Sequence, residues 1–314
     1  MRTAAAAGAR LAALRGHRRH PLSLPLVAGV VALLALLATG CGSTKKSSGS
    51  TSAAGSSCSK GSLTLVKKGQ LTVGTDNPAY PPWYGGSPGH GWKVSDPYSG
   101  QGFESAVAYA VAKELGFAKN EVKWVVVPFD QSFRPGSKNF DFDINQISYT
   151  PQRAKAVDFS DSYYDVNQAL IGATGAPITK VRSIAALKKY KLGVQLGTTS
   201  YQYVVNDIKP SQKPSVYNNS QDVTSALKAH QIDGIVVDLP TAFFITGSGE
   251  VPNSVVVGQF PTVGTPEHFG MVFDKGSSLL TCVNKALASL KGDGTLQKLR
   301  REWLSQKVRA PVLE

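Results

Sequence analysis

The sequence is poor in the groups that most metal binding and much catalysis require. Of its 314 residues only 5 are histidine and 3 are cysteine. Beyond residue 40 the histidines are His90, His230 and His268, spread over unrelated stretches. No HExxH or paired-ligand spacing joins them, so a zinc centre of that kind is excluded and neither metal nor cofactor is expected. Residues 1–40 contain no Asp or Glu. The apolar run from Leu26 to Ala38 is too short for a comfortable membrane span. No stripe of basic residues interleaved with aromatics runs through the body, which argues against a nucleic-acid partner.

What the first forty residues do hold is informative. Arg2, Arg10, Arg15, Arg18 and Arg19 precede the apolar run, which ends in "LATGC". Positive residues, an apolar core and small residues before a cysteine describe a signal peptide over 1–40. The last five letters resemble a lipobox, which implies acylation of Cys41 and an anchor in the outer face of the cell membrane. Residues 41–61 are rich in Ser and Gly and read as a flexible tether. The formal net charge of +13 falls to +8, from 29 basic and 21 acidic residues, once the five leader arginines are set aside. That surplus suits mild attraction to an anionic surface. An exported protein meets an oxidising compartment, so Cys58 and Cys282 are expected to pair, the alternative being two free thiols.

The body, from about Leu63, alternates short apolar runs with helical patterns. "QLTVGTD", "VKWVVVPF", "FDFDINQIS", "KLGVQLG", "DGIVVD" and "FGMVF" read as strands. "FESAVAYAVAKELG" reads as a helix with Val107, Val111 and Leu115 on one face and Gly116 as its stop. Two more helices carry Val283, Ala286, Leu287 and Leu290, and Leu296, Leu299, Trp303 and Leu304. This alternation predicts an α/β fold with largely parallel sheets. Four strands end in polar residues: Asp76, Ser148, Thr198 with Thr199, and Asp238. Ligands of such folds bind beyond the carboxyl ends of strands, so these residues are expected to converge.

The ordered set "GTDNPAYPPW", "GFESAVAYAVAKELG", "TPQRAKAVDFSDSYY", "GVQLGTTS" and "DGIVVDLPTA" resembles family 3 of the extracytoplasmic solute-binding proteins, the receptors of polar amino-acid ABC importers. The resemblance covers nearly all of residues 63–305. It implies a two-lobe, type II periplasmic-binding-protein-like fold with the ligand cleft between lobes. Lobe 1 would comprise 62–164 and 266–314, and lobe 2 165–265, with crossings near Tyr164–Asp165 and His268. Function would be to bind a free amino acid and hand it to an ABC permease, as a monomer and without chemistry. Two other readings are a ligand-sensing subunit of a membrane signalling protein and an enzyme like cyclohexadienyl dehydratase. "FDQSFRPGSKNFDFDINQ" departs from the family's Leu- and Gly-rich helix, and "YGGSPGHGWKVSDPYSGQ" reads as a mobile surface loop.

A free amino acid presents a carboxylate, an ammonium and a side chain, each needing a partner when water leaves. Arg153 stands where the family places its carboxylate-binding arginine, and a guanidinium matches a carboxylate in two parallel hydrogen bonds. Asp238 is the candidate for the ammonium, although Asp is also a favoured helix N-cap. Ser148, Thr198 and Thr199 would add donors to the carboxylate. Gln146, two residues from Ser148, is expected on the same strand face, with Asn145 a weaker candidate. Tyr80 and Trp83 would wall the aliphatic part of the ligand, unless they are simply core. Asp76 would either read a polar or basic ligand side chain or hold its own turn. Phe103, Glu104 and Phe129 are second choices.

Overall fold

The computed structural model describes residues 58–262, 264–304 and 310–314. The expected signal peptide, Cys41 and nearly all of the expected tether lie outside the described residues. In chain order the elements are β1 (Leu71–Thr75), α1 (Phe103–Glu114), β2 (Val122–Val126), α2 (Phe129–Ser132), β3 (Phe142–Asp143), β4 (Asp158–Phe159), β5 (Tyr164–Asp165) and β6 (Gln168–Ala173). Then follow β7 (Leu192–Gln195), α3 (Thr199–Tyr203), β8 (Ser215–Tyr217), α4 (Ser220–Lys228), β9 (Gly234–Asp238), α5 (Leu239–Gly247) and β10 (Ser254–Gln259). Last come β11 (His268–Phe269), β12 (Val272–Phe273), α6 (Leu279–Gly292) and α7 (Thr295–Trp303).

Two five-stranded sheets organise these elements, in the orders β2-β1-β3-β12-β4 and β10-β6-β9-β7-β8. Both are mixed, which corrects the expectation of largely parallel sheets. β12 runs antiparallel to β3 and β4, and β6 runs antiparallel to β9 and β10. The reason is connectivity: each sheet takes in a strand that follows a crossing between the sheets and so arrives in the reverse sense. β5 and β11 form a separate antiparallel pair, His268 opposite Asp165 and Phe269 opposite Tyr164.

α1 forms because its apolar residues recur on one face. Val107, Val111 and Leu115 are all buried, against α6 and α7. It stops where Gly116 takes φ +83°, a left-handed conformation that glycine adopts without steric cost. Cys58 is disulfide-bonded to Cys282 of α6, Cα to Cα 5.4 Å. The bond closes a sequence separation of 224 residues, for which chain entropy gives roughly 5 kcal/mol at most.

Two other expectations need correction. The segment 84–101 is not a loose surface loop. Trp92, Ser95, Asp96 and Pro97 are buried, and Ser105 of α1 donates its hydroxyl to the Pro97 carbonyl at 2.7 Å. It packs so closely that a Cβ on Gly102 would lie 2.4 Å from Cα of Tyr84. The C-terminal residues 310–314 do not belong with the first sheet, as the range 266–314 assumed. Val312 bridges to Gln259 of β10, and Leu313 is buried with Leu170, Val236 and Phe260. Leucine at the penultimate position supplies apolar surface that the second core can cover.

Candidate ligand-binding site

The polar residues expected at four strand ends do converge, although Ser148 lies five positions beyond the end of β3. Asp76, Ser148, Thr198, Thr199 and Asp238 line one cavity of about 940 Å³, its open mouth included, together with Tyr80, Phe129, Asn145, Gln146 and Arg153. Both sheets contribute. Asp76 follows β1, Thr198 and Thr199 follow β7, and Asp238 closes β9.

Arg153 opens a short 3₁₀ turn and is only 8 % exposed. Its guanidinium donates to the carbonyls of Ser148 at 2.7 Å and Gly197 at 2.8 Å. Ser148 lines the cavity, and Gly197 directly precedes its lining residue Thr198. The guanidinium also lies against the rings of Phe133 and Phe129, 4.2 and 5.5 Å from their centroids. The segment that departs from the family pattern therefore supplies the aromatic bed of this arginine. Burial lowers its pKa to about 10, while Glu267 and Asp238 favour the charged form. It remains a cation at neutral pH, with part of its five N–H groups still available.

Asp238 meets a different environment. It stands at the N-cap of α5, but its side chain caps nothing. Pro240 in the first turn has no N–H to offer, which removes one of the two donors a cap uses. Its Oδ1 instead accepts from the Gln168 amide at 2.7 Å. The same amide donates to Glu267 at 3.0 Å, and Glu267 accepts from the Ser148 hydroxyl at 2.5 Å. Burial, then repulsion by Glu267, pushes the Asp238 carboxyl well above the usual carboxylate range.

The sequence profile of the bacterial extracellular solute-binding proteins, family 3, matches residues 71–306. The chain belongs to that family. ABC transporter arginine-binding protein 1 of Escherichia coli (strain K12) is 31% identical over 212 residues, 65% of this chain and 82% of that one. The L-cystine-binding protein TcyJ of the same organism is 30% identical over 259 residues, 79% of this chain and 88% of that one. The crystal structure of the ancestral amino acid-binding protein AncCDT-1, a precursor of cyclohexadienyl dehydratase, superposes with a TM-score of 0.61 at 31% identity. That match covers 75% of this chain and 95% of the other. The fold is the two-lobe, type II one.

Within this solute-binding protein the remaining predicted residues divide. Tyr80 lines the cavity, and its buried hydroxyl has no hydrogen-bond partner. Burial pushes its pKa up to about 12. Trp83 does not line the cavity. It is 1 % exposed, packed edge-on against Phe103, Tyr164 and Phe269, and its indole N–H donates to the Thr241 hydroxyl at 2.9 Å. Thr241 is itself a cavity residue, so Trp83 backs the wall. The aromatic pattern gives no way to tell a wall from its backing. Thr198 spends its hydroxyl locally, accepting from the Tyr201 N–H and donating to the Gln195 carbonyl. Asp76 accepts from the Asn77 N–H at 2.7 Å, and burial raises its pKa.

Gln146 and Ser148 do not share a strand face. β3 ends at Asp143, and Gln146 has φ +49°. A two-residue spacing fixes a face only in extended backbone. Sequence reasoning missed Gln168 and Glu267 altogether. Neither sits in a motif, and they meet across 99 positions of sequence.

Proposed function

We propose that this protein is an extracytoplasmic receptor that binds a free amino acid in the cavity and delivers it to an ABC import permease. The observation that carries this is one cavity lined by a guanidinium and a carboxyl, Arg153 and Asp238, and by two residues with unpaired polar groups, Tyr80 and Asn145. Arg153 takes the α-carboxylate, aided by Ser148 and Thr199 and by backbone groups around Gln146 and Thr198. Asp238 takes the α-ammonium. Tyr80 covers the aliphatic stem, with Trp83 behind the wall, and Asp76 meets a polar or basic side chain. The lobes are 62–164 with most of 266–304, and 165–265 with 310–314, and they close on the ligand. The pairing of β5 with β11 and the packing of Leu313 support that division. Closure turns binding energy into the surface that a permease reads.

A thermal-shift screen of the twenty common amino acids and L-cystine on the purified protein tests the reading. Stabilisation by one amino acid or a few related ones is expected. No response to any of them would remove it. The relation to a dehydratase precursor, and the raised carboxyls of Asp76 and Asp238, justify one further assay. Turnover of prephenate or arogenate would make the protein an enzyme instead of a receptor.

The same proposal includes a lipid anchor at Cys41, supported by "LATGC" after an apolar run. Cys41→Ala is expected to release the protein from membranes with ligand affinity unchanged. Wild-type protein recovered soluble from a host that processes lipoproteins would count against the anchor.

A further inference from the structure

Glu104 is a fully buried carboxyl, 0 % exposed, that does not line the cavity. Its oxygens are committed nonetheless. Oε1 accepts from the backbone N–H of Gln146 at 2.6 Å and from the Tyr163 hydroxyl, and Oε2 accepts from the Gln146 side-chain amide. Both oxygens thus serve one residue, and that residue is the one with φ +49°. The left-handed region is disfavoured for side chains other than glycine. The chain on either side is pinned: Ile144 donates to the Gly74 carbonyl at 3.0 Å, and Gly270 donates to the Ile147 carbonyl at 3.1 Å. Between those pins the chain turns at Gln146, and Asn145, Gln146 and Ser148 all reach the cavity.

We infer that Glu104 is a positioning residue of the ligand site: it holds Gln146 in the left-handed turn that shapes the cavity wall and acts on affinity mainly through that turn. The inference rests on the receptor reading of the cavity. Only the carboxylate accepts on both oxygens. Once protonated, one oxygen becomes a donor and a weaker acceptor, so the hold on Gln146 loosens or rearranges. Burial raises the Glu104 pKa to about 7, opposed by the bonds from Tyr163 and Gln146. The ionisable groups around it are the hydroxyls of Tyr84 and Tyr163 and the carboxyls of Asp143 and Asp238. The wall is therefore set by a group that titrates near neutrality.

Two measurements test this. In the ligand-free protein, the NMR signal of the Gln146 amide is followed from about pH 5 to about pH 9. It is expected to titrate with a midpoint near the Glu104 value in wild type, and not in Glu104→Gln. An amide that does not respond, or responds alike in both proteins, overturns the inference. Glu104→Gln removes a buried charge and is expected to fold, which thermal unfolding checks. Calorimetry with L-arginine and L-cystine in turn then reads affinity in two backgrounds. Glu104→Gln should weaken binding about tenfold, a typical scale for directly coupled residues. Added to Gln146→Gly it should change affinity by less than about twofold, because glycine takes a positive φ unaided. Equal losses in both backgrounds overturn the inference. If neither amino acid binds wild type, the receptor reading suffers, while the NMR result still decides the link from Glu104 to Gln146.

Discussion

Burial disfavours the charge on both charged residues of the cavity, yet the outcomes are opposite. The guanidinium of Arg153 is compensated on every side, by two carbonyls, two aromatic rings and nearby carboxyls. It keeps its charge. Asp238 receives one amide hydrogen and faces a like charge on Glu267, so desolvation prevails and its carboxyl holds its proton far above the ordinary range. The cavity thus has a ready cation and a latent anion. An α-ammonium is what would complete the second, because it supplies the opposite charge that the fold withholds.

The sharpest way to break this comparison is Arg153→Ala. Truncating one side of a buried, hydrogen-bonded charge pair costs about 2–5 kcal/mol or more. Calorimetry should show the amino acid bound at least about thirtyfold more weakly, or not at all. Binding within threefold of wild type would mean that Arg153 is not the carboxylate partner.

Asp238→Asn comes next. It keeps size and some hydrogen bonding but removes the latent charge, so an α-amino acid should lose about 2–4 kcal/mol. The des-amino analogue of the same ligand should bind wild type poorly and lose much less in the variant. Equal losses for both ligands would assign Asp238 a structural role, although its side chain makes no cap bond in α5.

What could be read from sequence, and what could not, follows the same divide between the two residues. Arg153 announces itself in a continuous stretch, "TPQRAKAVDFS", and Asp238 in another, "DGIVVDLP". Three of the four strand ends, the α1 face and the pairing of Cys58 with Cys282 were legible because each depends on local pattern or on a very short list of partners. β6 and β10 were missed. "QALIGA" and "SVVVGQ" are short apolar runs whose pattern cannot separate strand from buried loop or helix. The groups that set the protonation of Asp238 are invisible for a stronger reason. Gln168 and Glu267 come from β6 and from the segment before β11, and only the closed three-dimensional path brings them to it.

A pH series sharpens the comparison further. Asp238 and Glu104 both have folded pKa values raised above their unfolded ones, Glu104 from 4.5 to about 7. Such groups take up protons on folding, so their contribution to stability is complete below the unfolded values and is lost as pH rises through the folded ones. Stability of the ligand-free protein should fall across about pH 4.5 to 7 and beyond. Affinity should move the other way, because the ammonium needs Asp238 ionised. Below the folded value, affinity should drop about tenfold per pH unit, with one proton released per ligand bound. Calorimetry in buffers of different ionisation enthalpy reads that proton. Affinity flat over this range would mean Asp238 is already ionised in the empty site.

The smallest expected effect isolates the cause. Glu267→Gln removes the like charge while keeping both contacts available. The new amide can accept from Gln168 and donate to the Ser148 oxygen, which serves as either donor or acceptor. With the repulsion gone, Asp238 ionises more readily, and the midpoint of the affinity profile should move to lower pH. At neutral pH binding should improve by a few-fold at most, since burial, the larger cause, is untouched. Arg153 loses one of the carboxyls that favour its charge, but a group near 10 stays protonated. The acid limb of the profile should therefore shift while the Arg153→Ala loss keeps its size. A variant that binds more weakly at every pH would show instead that Glu267 contacts the ammonium itself, and the cavity would then hold two anions for one cation.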